Sequence, residues 1–337
     1  MSTKGEYDCI VIGAGVQGSF TAYQLAKKNQ RTLLLEQFVL PHTRGSSHGQ
    51  TRIIRKAYEQ DFYTHMMEEC YELWTQLERE AGVKLYRQTG LLVMGQERSQ
   101  SYQMVKNTLQ RNKVPMMILS SDNFSQHIPH VILAEGDEAV VDITAGVLYA
   151  DRALKAVQGQ FQKLGGVIRD KEKVMDIKPG PVVTVSTSNG VYRAKRVVIT
   201  AGPWANQLLA HTGLQLPLEI CYHMGSETDP DQRDKQTDRS DIDILQRYIA
   251  RCFPGLVPEP AVVESCLYTL TPDRHFVLDC HPTYSNIVFG AGFSGHGFKF
   301  GPIIGKLLCE LTLGEVPSYD LSPFRIRRFQ AMTKSSL

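Results

Sequence analysis

The 337-residue chain predicts an α/β fold in two domains, and three observations predict it. An apolar run, a glycine-rich turn and a helix-spaced segment follow one another at the N-terminus. Glycine-punctuated strand-type runs return between residues 167 and 200, and the last strong pattern is helical. With 42% apolar and 21% charged residues, the chain can bury a substantial core and divide in two.

Tyr7 to Ile12 reads as a buried strand, and Gln17 to Lys28 carries apolar residues at helical spacing. Arg31 to Glu36 holds the run Thr-Leu-Leu-Leu, so the chain begins with a βαβ unit. A helical pattern over Asp61 to Ala81, the strand-like stretch Leu85 to Gly95, and helical stretches near 98–111 and 121–127 make an excursion into the second domain. Arg152 to Leu164 reads as a helix stopped by Gly165-Gly166. Strand-type runs follow at Val167, Val174 to Ile177, Val182 to Thr187 and Val191 to Thr200. From Leu218 to about Val257 the sequence turns polar, and Asp229 to Asp243 is dense in charge. Strand character resumes at Ser265 to Thr269 and Asn286 to Gly290, before a final helix from about Phe298 to Leu313.

Thirty-seven basic against 35 acidic side chains leave a formal charge of +2 with no long run of one sign, which excludes the usual footprint of a nucleic-acid binder. The expected partner is a small molecule. Seven cysteines, at 9, 70, 221, 252, 266, 280 and 309, include no C-x-x-C pair, so neither a disulfide framework nor a zinc ribbon is expected. The N-terminal MSTKGEYD is polar and no segment reaches the ~18 apolar residues of a membrane span. A chain made in the cytosol, soluble and kept reduced, is the expectation.

Gly13-Ala14-Gly15-Val16-Gln17-Gly18 follows the first strand and opens the first helix. In that context Gly13, Gly15 and Gly18 permit a tight turn, close approach of backbone to a pyrophosphate, and close packing of helix on strand. The helix N-terminus offers free N–H groups to phosphate. Glu36, 18 residues beyond Gly18, is placed to accept hydrogen bonds from the adenosine ribose. An idle glycine-rich turn is the weaker alternative, and the motif alone does not choose between NAD and FAD.

Further motifs do. They are the segment Pro41-His42-Thr43-Arg44-Gly45-Ser46-Ser47-His48-Gly49-Gln50-Thr51-Arg52-Ile53-Ile54-Arg55, the stretch Cys266-Leu267-Tyr268-Thr269, and Gly290-Ala291-Gly292-Phe293-Ser294-Gly295-His296-Gly297-Phe298-Lys299. With the fingerprint, they make the chain resemble the flavin-dependent amine oxidases of the monomeric sarcosine oxidase type, from near residue 5 to the C-terminus with one break. The resemblance implies a glutathione-reductase-like FAD-binding domain (residues 1–88, 150–218 and 273–329) beside an antiparallel-sheet substrate domain (89–149 and 219–272), with 330–337 as a tail. It implies oxidation of secondary or cyclic amino acids such as sarcosine or L-pipecolate to the imine, with O2 reduced to H2O2, by a monomer.

Each motif also has its own chemistry. A strand cysteine is usually an inert buried hydrophobe, and composition does not choose among the seven. The resemblance implies that Cys266 carries FAD covalently, through sulfur to the 8α carbon. His48, Arg52 and Arg55, at spacings of four and three, would ordinarily form a solvated face. As a site they suit an anion, since guanidinium forks match carboxylates. The resemblance gives Arg55 and Lys299 the substrate carboxylate and places His48 and Arg52 close to the flavin ring. Gly292, Gly295 and Gly297 lie where a backbone would approach that ring, and the helix beginning near Phe298 would point its positive end at the flavin N1 and C2 carbonyl. Tyr268 is a candidate to shape the pocket. Ala201-Gly202-Pro203-Trp204 resembles a second, less specific flavin-contact turn.

The break lies between Leu218 and Tyr222, where the family has a block of strands that includes a lysine over the flavin. Here Leu218-Glu219-Ile220-Cys221 runs straight into Tyr222-His223. A shortened substrate domain with uncovered apolar faces and slowed flavin reoxidation is therefore expected. A catalytically deficient form that at most binds flavin is the alternative, and an NAD-dependent dehydrogenase sharing only the fingerprint is a third. The chain ends Ser335-Ser336-Leu337, close to the Ser-Lys-Leu address read by the peroxisomal import receptor. Peroxisomal localisation is the expectation.

Overall fold

The computed structural model describes residues 3–222, 227–235 and 239–329. Its main sheet is built on the first strand, Thr3–Ile12, whose Cys9, Ile10 and Val11 are wholly buried. Strands buried on both faces need apolar side chains throughout, and Thr32–Leu35 and the inner end of Gly190–Ile199 supply them on either side. Val167–Arg169 extends the parallel sheet beyond Thr32–Leu35, and Ile287–Ala291 extends it beyond Gly190–Ile199. The outer half of Gly190–Ile199 pairs instead with Val183–Thr187, which pairs antiparallel with Val174–Lys178. Val277–Cys280 pairs antiparallel with Ile287–Ala291.

Two helices cross one face in backbone contact. Val16–Lys27 packs on Gly301–Leu313, where a Cβ on Gly305 would fall 2.5 Å from the Cβ of Phe20. Phe20 meets Trp74 of the long helix Asp61–Ala81 edge to face, with ring centroids 5.1 Å apart. Burying each such side chain stabilises the fold by about 1.5–3 kcal/mol. Three antiparallel sheets stand apart from this layer: Thr51–Ile54 with Gly146–Tyr149 and Tyr86–Gln88; Leu91–Gln96 with Asp137–Asp142 and Met116–Leu119; and Glu219–Tyr222 with Leu267–Leu270.

The structure departs from the sequence reading in four places. The strand-like stretch Leu85 to Gly95 is two strands in different sheets, parted at Gly90, whose φ is +74°. The last pattern opens with a 3-10 turn, Phe298–Phe300, and becomes α-helical only at Gly301–Leu313, with Pro302 in its first turn. The charge-dense stretch contains a 3-10 segment, Pro230–Lys235, and a helix, Ser240–Cys252, most of whose side chains face solvent; its Ile244 and Leu245 are 50% and 57% exposed. The segment carrying Arg52 is a strand, Thr51–Ile54, whose inward positions hold Arg52 and Ile54 while Ile53 faces out, 51% exposed.

At the break, Glu219–Tyr222 has its partner in Leu267–Leu270, with Cys221 opposite Tyr268. Residues 223–226 and the tail 330–337, Ser335-Ser336-Leu337 included, lie outside the described residues. Val257, Val262 and Val263, in the irregular stretch before Leu267–Leu270, are 78%, 76% and 58% exposed.

Candidate active site

In sheets of this kind the ligand crevice lies at the C-terminal ends of the parallel strands, where the glycine fingerprint stands in this chain. Gly13 leaves the first strand at φ +101°, where a Cβ would lie 2.5 Å from the Thr200 carbonyl oxygen. Gly18 admits no side chain: its Cβ would stand 1.9 Å from the Gly13 carbonyl oxygen. Gly15 faces the Ser47 hydroxyl, which accepts from the Val16 N–H at 3.0 Å at the head of the first helix. Glu36 is buried, and its carboxylate accepts from the Ala14 N–H at 2.9 Å and the Phe38 N–H at 3.1 Å, with His42 Nε2 at 3.4 Å. A carboxylate has about four acceptor positions, so capacity remains for ribose hydroxyls.

The fingerprint is tied to the far end of the chain. Gln17 donates its side-chain N–H to the Gly297 carbonyl at 2.9 Å, while its buried Oε1 has no partner. Beyond Gly297, Lys299 is buried. Its carbonyl accepts from Trp74 Nε1 at 2.8 Å and Cys70 Sγ at 3.0 Å, and its Nζ donates to the His296 carbonyl at 3.2 Å. Nζ lies 5.9 Å from the centroid of the Tyr58 ring, and Arg55 Cζ lies 4.6 Å from the same ring. Among the described residues no carboxylate forms an ion pair with either cation. Burial, then Arg55, pulls the Lys299 ammonium down to about 7. Two like charges converging on one buried aromatic ring without a counter-ion make a receptor for an anion.

Arg52 is placed differently. Its guanidinium donates to the carbonyls of Thr51 (2.7 Å), Ser46 (3.0 Å) and His48 (2.6 Å), and it lies 5.5 Å from the Phe298 ring centroid. His48 Nδ1 is 2.6 Å from the Gly45 carbonyl oxygen, so Nδ1 carries the proton and Nε2 is the basic nitrogen. Burial, the largest cause, holds this imidazole below its ordinary value, which keeps it neutral near pH 7. His296, donating from Nε2 to the Arg274 carbonyl, is driven by burial and then Lys299 down to about 3, and its buried Nδ1 has no partner.

Cys266 is half-buried at the start of Leu267–Leu270. Burial raises its thiol, and Arg52 and Arg233 pull it back. The Ser46 hydroxyl donates to the Leu267 carbonyl at 2.5 Å, fixing the cysteine strand to the segment that holds His48 and Arg52. Tyr268 lies under the last loop: a Cβ on Gly295 would meet its ring at 2.3 Å. Gly292, at φ +62°, turns the same loop, and a Cβ on Gly297 would strike Phe293. In the turn Gly202–Trp204, Trp204 packs on Phe38 and donates Nε1–H to Asp231 at 2.9 Å.

The structure thus brings Gly13, Gly15, Gly18 and Glu36 together around the fingerprint, and Arg55 with Lys299 on the Tyr58 ring. The charge of Arg52 acts on Cys266, Tyr268 and Lys299. A cavity of about 360 Å³ lined by Met94, Ile132, Asp137, Tyr248 and Cys252 shares no residue with this site. Sequence reasoning missed Tyr58, Gln17, Ser46 and Asp142. The buried Asp142 carboxylate accepts from the N–H groups of Lys56 (2.7 Å) and Ala57 (3.1 Å), fixing the turn between Arg55 and Tyr58. Gln17 alone carried a signal, a polar residue inside a helix start that must be buried.

A family model described as FAD dependent oxidoreductase matches residues 8–235 and 220–311. The peroxisomal sarcosine oxidase of Homo sapiens is 47% identical over 386 aligned positions, covering 99% of each chain. That alignment is longer than the 337 residues present here, so its surplus positions have no residue of this chain opposite them. The monomeric sarcosine oxidase of Bacillus sp. (strain B-0618) is 31% identical, covering 97% of each. Among solved structures, NikD, an unusual amino acid oxidase essential for nikkomycin biosynthesis, superposes with a TM-score of 0.86 at 23% identity, over 96% of this chain and 98% of that one. L-proline dehydrogenase from P. horikoshii gives 0.83 at 20% identity, over 98% and 99%.

Proposed function

From the premise that this chain belongs to the FAD-dependent oxidoreductase family, we propose that it is an amine oxidase acting on small secondary or cyclic amino acids, sarcosine and L-pipecolate among them. The observation that carries the reading is the buried, counter-ion-free pair Arg55 and Lys299 in that family frame. FAD fits the residues present: the three glycines put no side chain of their own at the helix N-terminus, the Glu36 carboxylate is buried with acceptor capacity left, and Gln17 Oε1 is an orphaned polar atom within the fingerprint among the described residues. Gly13, Gly15, Gly18 and Glu36 would hold its adenosine diphosphate part; Gly292, Gly295, Gly297 and Cys266 would line the ring, the last as the covalent anchor.

Bound FAD supplies a two-electron acceptor for the substrate C–H bond and passes those electrons to O2 as hydrogen peroxide. The side chains do the rest. Arg55 donates its fork to the substrate carboxylate and Lys299 adds the second charge, which fixes the distance from carboxylate to the carbon that loses hydrogen. His48 Nε2, basic but uncharged, can accept a proton near the ring, and Arg52, held by three carbonyls, contributes fixed positive charge where negative charge develops. Tyr268 bounds the pocket from the strand side. The 47% and 31% identical relatives favour this oxidase reading over a flavin-binding chain without turnover or an NAD-dependent dehydrogenase.

Anaerobic addition of sarcosine or L-pipecolate to the flavoprotein should bleach its visible band, and admitting O2 should restore the colour with one peroxide per flavin. An unchanged spectrum with both substrates would sink the assignment.

The protein acts as a monomer, and its site of action is the peroxisome, where peroxide meets catalase. Relatives named peroxisomal sarcosine oxidase, 47% and 46% identical, support that place. The import receptor would read Ser335-Ser336-Leu337, with serine in place of the usual basic residue. A fluorescent reporter carrying the last dozen residues should be punctate, and one lacking Leu337 diffuse. Diffuse signal from both would reject the address.

A further inference from the structure

Arg233 is 5% exposed, in the middle of a stretch whose charge density suggested a solvated surface. Its Nη2–H donates to the Ser265 carbonyl at 2.6 Å, and its Nη1–H donates to the Thr43 carbonyl. Ser265 immediately precedes Cys266, and the Leu267 carbonyl immediately after it is held by Ser46. The residues on both sides of the cysteine are therefore pinned to one segment, residues 43–46, which leads into His48 and Arg52. Arg233 itself is anchored, since the Tyr222 hydroxyl donates to its carbonyl at 2.9 Å. The acid beside it, Asp234, stands 3.6 Å from Nε with its side chain 65% exposed, and among the described residues Nε has no hydrogen bond. A desolvated guanidinium without a close, buried carboxylate leaves net positive potential on its neighbours.

We propose that Arg233 is a positioning residue for attachment of FAD at Cys266: it sets the cysteine backbone against the segment that faces the flavin ring and supplies positive charge beside the sulfur. The inference rests on the covalent reading above. Forming the thioether removes one proton from the thiol and one from the 8α carbon and leaves two electrons on the ring; O2, already the acceptor of the oxidase reaction, takes the electrons and both protons as hydrogen peroxide. The attacking group is the thiolate, which a cation favours and burial opposes. Arg233 and Arg52 are the charges that pull the Cys266 thiol down against burial. Arg52 spends its donors on the carbonyls of Thr51, Ser46 and His48, so Arg233 is the one bonded next to the cysteine itself.

Full-length apoprotein, wild type, Arg233→Met and Arg233→Lys, is incubated aerobically with FAD. Flavin that survives acid precipitation measures attachment, and flavin fluorescence measures reversible binding. Attachment in Arg233→Met should slow about tenfold or more, since the variant loses both a charge that favours the thiolate and the backbone tie, while the dissociation constant changes less than threefold. Arg233→Lys, which keeps a cation but cannot fork between Thr43 and Ser265, should fall between the two, and it carries the test where Arg233→Met does not bind FAD. In apoprotein, alkylation of Cys266 should slow while that of the other half-buried thiol, Cys280, stays at the wild-type rate. Attachment at the wild-type rate in both variants would overturn the proposal. Release of all flavin from the denatured wild type would instead show that the covalent reading had failed, and the Arg233 role with it.

Discussion

Denatured wild-type protein will keep its FAD in the pellet, and denatured Cys266→Ala protein will release all of it. The chain offers seven thiols, of which five are buried: Cys9, Cys70, Cys221, Cys252 and Cys309. Burial pushes Cys9 and Cys309 up to about 12 and raises Cys70 and Cys221, so none of these four supplies a thiolate near neutral pH. Cys252 ends the helix Ser240–Cys252 and lines the cavity that shares no residue with the candidate site. Two half-buried thiols remain. After burial, the charge that weighs most on Cys280 is the Asp279 carboxylate, which disfavours the thiolate; for Cys266 it is Arg52, which favours it. Visible flavin absorbance in the redissolved acid pellet is a sufficient readout. Flavin in the Cys266→Ala pellet would end the assignment.

Lys299→Met will weaken carboxylate ligands roughly 10- to 150-fold, the equivalent of one charge-assisted hydrogen bond of about 1.5–3 kcal/mol. The pH dependence gives the sharper signature. Burial and Arg55 hold the free ammonium at about 7 against its ordinary 10.5. Below pH 7 the group is charged and the site is ready; above it, re-forming the ammonium costs affinity at about tenfold per pH unit. Arg55 keeps its charge throughout, so Lys299→Met should lose that slope and retain weak, flat binding. Stability follows the opposite sense. A folded pKa below the unfolded one means that the native chain holds fewer protons between about 7 and 10.5, so this group's penalty is fully present below pH 7 and fades as pH rises through that window. Titration with a carboxylate ligand, followed by flavin absorbance at several pH values, tests both statements; equal affinity and equal slope in the variant would remove Lys299 from the anion site.

What the sequence disclosed and what it hid divide along contact distance. Gly13, Gly18 and Glu36 are legible because a tight turn, a close helix and an acid at the next strand end are demands made within one βαβ unit. The strand Thr51–Ile54 was not legible, since apolar and polar residues do not alternate between its inward and outward positions. Tyr58 is an ordinary core tyrosine until the fold sets Arg55 and Lys299 on its ring. Arg233 sits among Asp231, Asp234 and Lys235, where composition announces a solvated face. Only the pairing of residues 43 and 265 through its guanidinium reveals a buried one. The role of Asp142 is likewise set by a turn 85 residues earlier in the chain.

The hydrogen bond from Gln17 to Gly297 joins residues 280 positions apart. The crevice therefore has a history during synthesis. When the fingerprint leaves the ribosome, the helix Gly301–Leu313 that will cross it and the glycine loop that will close it do not yet exist. At roughly 5–20 residues per second the first βαβ unit waits on the order of tens of seconds for them. Through that interval Val16 and the backbone at Phe20 lack Gly301 and Gly305, which will close on them, and a contact so distant in sequence is slow to close. The contact that ties the fingerprint to the last glycine loop is thus among the last that the chain can make.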